Sequence, residues 1–278
     1  MLTFPKKIID AFIFFNEIEL LKVRLQYLGD KIDYFVIVEA NVDFNGNPKK
    51  FFLQEYISCL PFSEKIVYHT LHINLCGVSW SLKRLRYITR PHKFLWKIQD
   101  AQRNSTLDAI KCNQLNSDYV LFGDLDELPS LEFIQLLRQK TYSLNTFKTL
   151  RQRLFYYTPN NASTNEDWFG TICARYEDFI TTQPHKLRNN RENFEFIPNG
   201  GYHFSYFMTK DKIKTKINAI ANVERVNYAL ELTTEEIEIH IRDKTDLFGR
   251  ELSFIENSHL ITEDLLTILQ KYKPWIES

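Results

Sequence analysis

Three short, almost continuously apolar runs, Ile8–Phe15, Tyr34–Val38 and Tyr119–Phe122, read as buried strands. Between and after them lie segments of helical period. Glu17–Leu28 places Ile18, Leu21, Leu25 and Leu28 on one face, and Lys97–Cys112 and Leu131–Lys140 follow the same pattern. Lys65–Tyr68 supplies a further short strand. Strands that alternate with helices predict an α/β sheet, parallel at least in its first half. The second half is less regular. Thr146–Tyr157 and Gly170–Tyr176 read as strands separated by a polar loop over 158–167. Phe194–Ile197 reads as another strand, and Lys212–Ala221, Thr234–Arg242 and Thr262–Tyr272 as helices. With no internal repeat, low-complexity stretch or linker, the expectation is one domain over 1–278.

Composition excludes several classes. Lys+Arg and Asp+Glu both total 35, and a chain without excess positive charge does not suit nucleic acid. No window approaches the roughly 20 apolar residues of a membrane span, and Ile8–Phe15 is too short and too interrupted by Asp10 for a signal peptide. Cys59, Cys76, Cys112 and Cys173 are scattered, without a CxxC pair, so a zinc knuckle is not expected. Unclustered thiols fit a reducing compartment.

The chemistry concentrates where the third apolar run ends. Asp124, Asp126 and Glu127 fall within four residues, closed by Leu128-Pro129. In an extended chain residues two apart point the same way, so Asp124 and Asp126 project together with Leu125 behind them. Paired carboxylates repel unless a positive group lies between them, and Mg²⁺ or Mn²⁺ prefers such oxygen ligands. Open α/β sheets bind ligands at that edge. The competing reading is an acidic turn ahead of the helix at Leu131–Lys140, with Ser130 at its start. The first strand ends near Asn16 and Glu17, the second at Glu39 and Asn41, and both ends share that edge. Gly200-Gly201-Tyr202-His203 brings a histidine after a flexible approach.

Five ordered blocks then resemble glycosyltransferase family 17, which includes the bisecting β-1,4-N-acetylglucosaminyltransferase of N-glycan synthesis. They are Phe15–Leu25, Asp33–Asn41, Gln102-Arg103-Asn104, Gly123–Pro129 and Gly200–Tyr206, and the resemblance runs from about Ile8 to about Glu224. It implies a GT-A-type nucleotide-sugar-binding fold, with a mixed, mostly parallel central sheet flanked by helices. The donor half would span about 1–130, and 131–278 would complete the acceptor and metal sites. It also implies inverting, metal-dependent transfer from a nucleotide sugar, a UDP-sugar such as UDP-GlcNAc, to a glycan or glycolipid. Without an anchor, the setting expected is cytoplasmic, soluble or peripheral at a membrane, in a microbe or virus.

Within that resemblance Asp126 is the first choice of metal ligand. Asp124 would touch the ribose, a metal-bound water or the metal, and His203 would complete the shell. Arg103, with Asn104 beside it, either binds diphosphate bidentately or pairs with an acidic-triplet carboxylate. Glu39 and Asn41 stand where a nucleobase or ribose would dock. Asn16 and Glu17 belong either to the donor site or to the helix start, with Asn16 as N-cap. Inversion needs a base for the acceptor hydroxyl. Glu224 leads, followed by Asp178 and Glu127, with Glu166, Asp167 and Glu177 also available. Two basic runs, Lys186–Arg191 and Lys210–Lys216, are either solvated faces or holders of an acidic lipid acceptor. Two other classes compete: a different metal-dependent nucleotide enzyme, such as a nucleotidyltransferase, and a non-catalytic carbohydrate-binding relative.

Overall fold

A computed structural model of the chain describes residues 5–89, 91–139, 144–219 and 229–273. Four parallel strands, β1 (Ile8–Phe14), β2 (Tyr34–Ala40), β3 (Ile66–Leu71) and β4 (Tyr119–Asp124), form its first half in the order β3-β2-β1-β4. The sheet continues through β7 (Asn161–Arg175), β6 (Lys148–Tyr156), β9 (Gly201–Ser205) and β5 (Glu127–Pro129). β7 runs antiparallel to both β4 and β6, whereas β9 is parallel to β6. Two short strands, β8 (Glu195–Ile197) on β6 and β10 (Phe254–Glu256) on β7, complete it. The result is the expected mixed, mostly parallel sheet with helices on both faces.

Alternation along the buried strands sorts the core. Ile8, Phe12 and Phe14 of β1 face one layer, which holds α1 (Ile18–Leu28), α4 (Leu131–Arg138) and α9 (Glu263–Tyr272). Ile9 and Ala11 face the other, against Ala109 and Ile110 of α3 (Pro91–Cys112). α1 is buried nearly all round because α9 packs outside it. α7 (Lys210–Ala219) and α8 (Thr234–Arg242) close a separate cluster over Leu154, Tyr156 and Tyr206. The remaining helices are α2 (Val78–Arg86), α5 (Tyr176–Phe179) and α6 (Pro184–Asn189).

From β1 the chain steps through α1 to β2 on one side, then returns through α3 to β4 on the other. That reversal opens a crevice at the carboxyl ends of β1 and β4, the place where open α/β sheets bind ligands.

Several local expectations change. The polar stretch 158–167 is no loop beyond Asn160, because β7 already begins at Asn161. Its side chains from Ser163 to Trp168 are at least partly exposed, so polarity there marks an accessible hairpin arm. Pro129 does not end β4; the chain turns after Asp124, and Glu127–Pro129 forms a separate short strand paired with β9. That pairing needs Gly201, whose φ is +130° and whose missing Cβ would lie 2.0 Å from the Leu128 carbonyl. α3 begins at Pro91, six residues earlier than the periodicity predicts, and α2 carried no expectation at all.

Candidate functional site

A cleft of about 370 Å³ occupies the crevice. β1 leads into it through Phe15 and Glu17, β4 through Asp124, the following turn through Asp126, and β9 through His203. Three helices contribute cations: Arg103 from α3, Arg188 from α6 and Lys216 from α7.

The acidic turn is set by a buried arginine. Arg24, fully buried in α1, clasps Asp10 of β1 through Nε at 2.8 Å and Nη2 at 2.7 Å. Its Nη1 donates to the carbonyls of Asp124 (3.1 Å), Leu125 (3.0 Å) and Glu127 (2.7 Å). Five donor contacts from one guanidinium fix β1, α1 and the turn as a unit, which a point-charge lysine could not do.

Glu127 is fully buried, and its carboxylate is saturated. Oε1 accepts from Trp168 Nε1 (2.6 Å) and Arg188 Nη2 (2.5 Å), and Oε2 from Arg188 Nη1 (2.9 Å) and the Asp124 amide (3.0 Å). Arg188 also reaches Asp124 Oδ2 at 2.7 Å, and Arg103 Nη2 lies 3.3 Å from the same oxygen. Burial works against the charge on Asp124, but Arg188 and Arg103 hold its carboxyl below the usual range. Gly123 makes room for this packing: a Cβ there would meet Glu127 Oε2 at 2.6 Å.

Asp126 turns to a different set of partners. Its Oδ1 lies 3.6 Å from His203 Nε2, and its Oδ2 is 3.2 Å from Lys216 Nζ. Burial again opposes the charge, yet Lys216 and His203 hold this carboxyl far below the usual range. Lys216 also bridges to Glu17 Oε1 at 3.0 Å; despite its burial, the two carboxylates push its pKa up. His203 stacks on Trp168 at 4.4 Å with 24° between the rings, and its Nδ1 is buried without a partner.

The expected ligands Asp124, Asp126 and His203 therefore share one cleft but not one cage. Among the described residues no three His, Cys, Asp or Glu side chains converge on a point fit for a metal. Asp124 is engaged by two arginines, which leaves Asp126 and His203 as an oxygen–nitrogen pair. Two such groups are too few to cage a cation by themselves; Mg²⁺ is usually completed by substrate phosphate and water.

The other expected residues divide. Arg103 lines the cleft in an ion pair with Asp124. Asn104 looks away and accepts from the His185 amide (3.1 Å), tying α3 to α6. Glu39 is fully buried; it receives Lys49 Nζ (2.5 Å), the Phe52 amide (2.8 Å), the Leu53 amide (3.1 Å) and the Tyr68 hydroxyl (2.8 Å), so it anchors the loop after β2. Asn41 exchanges hydrogen bonds with the Ile73 backbone. Neither lines the cleft. Glu17, not Asn16, occupies the N-cap position of α1, and no side chain caps that helix. Asp178 and Glu177 are paired with Arg175 at the opposite end of the sheet, because β7 runs antiparallel to β4. Exposed Asp167 pairs with Arg151. Glu224 lies outside the described residues.

Sequence reading missed Arg24, Trp168, Arg188, Arg191 and Lys216. A signal existed for the first: Asp10 within an apolar strand and Arg24 beside the apolar stripe of the next helix form an obvious buried pair. Arg188, Arg191 and Lys216 sit inside the two basic runs. Lys186 of the first run is exposed, but most cations of these runs have internal partners. Lys210 pairs with Glu238, Lys212 with Glu19, Lys214 with the carbonyls of Leu230 and Leu232, and Arg191 with the Phe169 carbonyl.

The chain matches the model of glycosyltransferase family 17 over residues 1–261. No curated protein matches it in sequence. Three solved structures resemble it at a distance. A 4-diphosphocytidyl-2C-methyl-D-erythritol synthase from Anaerococcus prevotii DSM 20548 has a TM-score of 0.42 at 10% identity, covering 77% of this chain and 98% of that one. A protein assigned as a nucleotide-diphospho-sugar transferase from Desulfovibrio desulfuricans G20 has a TM-score of 0.35 at 10% identity, over 87% and 99%. A glycosyltransferase involved in glycosylation of the major capsid of PBCV-1 has a TM-score of 0.28 at 11% identity, over 85% and 99%.

Proposed function

The chain belongs to glycosyltransferase family 17, and on that premise we propose that it is an inverting transferase that moves N-acetylglucosamine from a UDP-sugar to a hydroxyl of a glycan or glycolipid. One observation carries this reading: Asp124 and Asp126, with Arg103, Arg188 and Lys216, converge in a single cleft at the β1/β4 crevice.

Transfer breaks the anomeric C–O bond, and the departing diphosphate gains negative charge. Charges already fixed around that position lower the barrier because they need not reorganise. Asp126 and His203 would hold Mn²⁺ or Mg²⁺, which when bound supplies part of that compensating charge. Lys216 sits beside Asp126 and balances the pair of carboxylates, Glu17 and Asp126, that face the diphosphate. Arg103 has a buried Nε without a hydrogen-bond partner, and burial together with Arg188 lowers its pKa, consistent with a guanidinium that an anion would stabilise. Phe15 and Phe44, 5.9 Å apart, line the cleft together with Trp96 and offer aromatic surface suited to a nucleobase. The Trp168–His203 stack offers a flat wall to the sugar.

The base in this proposal is Glu224, from the sequence resemblance. Asp178 is set aside because it lies at the far end of the sheet, and Glu127 because its oxygens are fully engaged. Donor binding is tested by thermal stabilisation with UDP-GlcNAc in Mn²⁺ and in EDTA. At a concentration 100-fold above Kd, stabilisation of about 2.7 kcal/mol is expected with Mn²⁺ and much less with EDTA. No stabilisation by any UDP-sugar in either condition would sink the donor assignment.

A further inference from the structure

We propose that α2 docks the protein on an anionic membrane surface. Val78, Leu82 and Leu85 lie on one side of this helix, 78%, 62% and 65% exposed, and Ile88, just past the helix end, is 72% exposed. The opposite side carries Trp80 and Tyr87, which pack inward; Trp80 meets Phe94 of α3 edge-on at 5.9 Å. The helix is therefore seated by one apolar face and presents a second to solvent. Large apolar side chains aligned on a surface mark an interaction face, whereas scattered ones do not.

Charge selects the partner. Helical spacing sets Arg86 beside the exposed stripe and Lys83 and Arg84 nearer the inward face; all three are exposed, and among the described residues no carboxylate pairs with them. Lys83 instead rests its ammonium over the Trp80 ring at 4.3 Å. From Leu75 to Trp96 the chain has five lysines and arginines and no Asp or Glu, within a protein whose net charge is zero. This contrasts with the two other basic runs, whose cations are largely spent on internal partners. An apolar stripe rimmed by unpaired cations is the pattern of a helix lying in the headgroup region of an anionic bilayer. A protein partner that matched the stripe would also have to supply the acidic rim. α3, on which α2 packs, also carries Trp96, which lines the cleft.

The test is co-sedimentation of the full chain with vesicles of phosphatidylcholine alone and of phosphatidylcholine mixed with phosphatidylglycerol. The wild type should pellet with the mixed vesicles only and be released by added salt. Leu82→Glu with Leu85→Glu, and separately Lys83→Glu with Arg84→Glu, should each lower partitioning by about tenfold or more, without lowering the melting temperature. Absence of binding to the anionic vesicles, or binding unchanged by both double variants, would overturn the proposal. So would a concentration-dependent dimer, abolished by the leucine variant, in a protein that ignores vesicles: the stripe would then join two copies of the chain.

Discussion

At the scale of single residues, the site works as two carboxylate pairs with different duties. Asp124 and Glu127 are locked together by Arg188. Asp126 and Glu17 share Lys216 and face the space in front. Asp126→Asn leaves Lys216 paired with Glu17, so the fold should persist, while turnover with a UDP-sugar should fall by about 10²-fold or more, as when a charge-stabilising group is lost. A variant with near-normal turnover would remove Asp126 from the chemistry. Glu127→Gln should behave differently. It leaves a buried guanidinium short of a partner, so stability in urea should drop by about 3–5 kcal/mol. A drop below about 1 kcal/mol would show that Asp124 alone satisfies Arg188. The difference between these carboxylates was not legible in the sequence, which presents Asp124, Asp126 and Glu127 as one acidic triplet. It arises from α6 and α7, whose cations arrive from 61 and 90 residues away. The residue pattern pointed to this turn as the candidate site; which carboxylate faces the open cleft required the tertiary structure.

At the scale of elements, two arginine clamps hold pieces that strand pairing alone would leave loose. Arg24 binds β1 to the acidic turn, and Arg24→Lys should lose most of its five donor contacts and lower both stability and donor affinity; a melting temperature equal to wild type would deny it that role. The second clamp is Arg250, which donates to Asp246 at 2.7 Å and to the Tyr156 hydroxyl at 3.0 Å, pinning the loop after α8 onto β6. Burial opposes the charge on Asp246, but Arg250 and nearby backbone amides hold its carboxyl below the usual range. A carboxylate with a depressed folded pKa stabilises above its unfolded value and ceases to do so as pH falls through its folded one. Wild type should thus exceed Asp246→Asn by about 2 kcal/mol at pH 7, and the gap should narrow as pH falls below about 4. A gap independent of pH would indicate lost packing in place of lost charge. The buried strands and amphipathic helices of the first half were legible because burial on both faces leaves unbroken apolar runs. α2 was not, since its outward face is apolar too and breaks the helical pattern. The second half of β7 was legible as the strand expected at Gly170–Tyr176, but its first half was hidden by its solvent-facing hairpin arm, and β5 by its length of three residues.

At the scale of the whole molecule, the order β3-β2-β1-β4 places one crevice at the β1/β4 junction, and every cation that the later helices bring to the acidic turn enters there. Among the described residues no helix is long and apolar enough to cross a membrane. We propose that this crevice activates a nucleotide sugar. The most direct measurement is release of nucleoside diphosphate from a panel of UDP- and GDP-sugars, by wild type and by Asp126→Asn, in Mn²⁺ and in EDTA. Slow release from a UDP-sugar, abolished by the substitution and by EDTA, is the predicted result. Release from none of the donors, together with no thermal stabilisation by any of them, would contradict the claim.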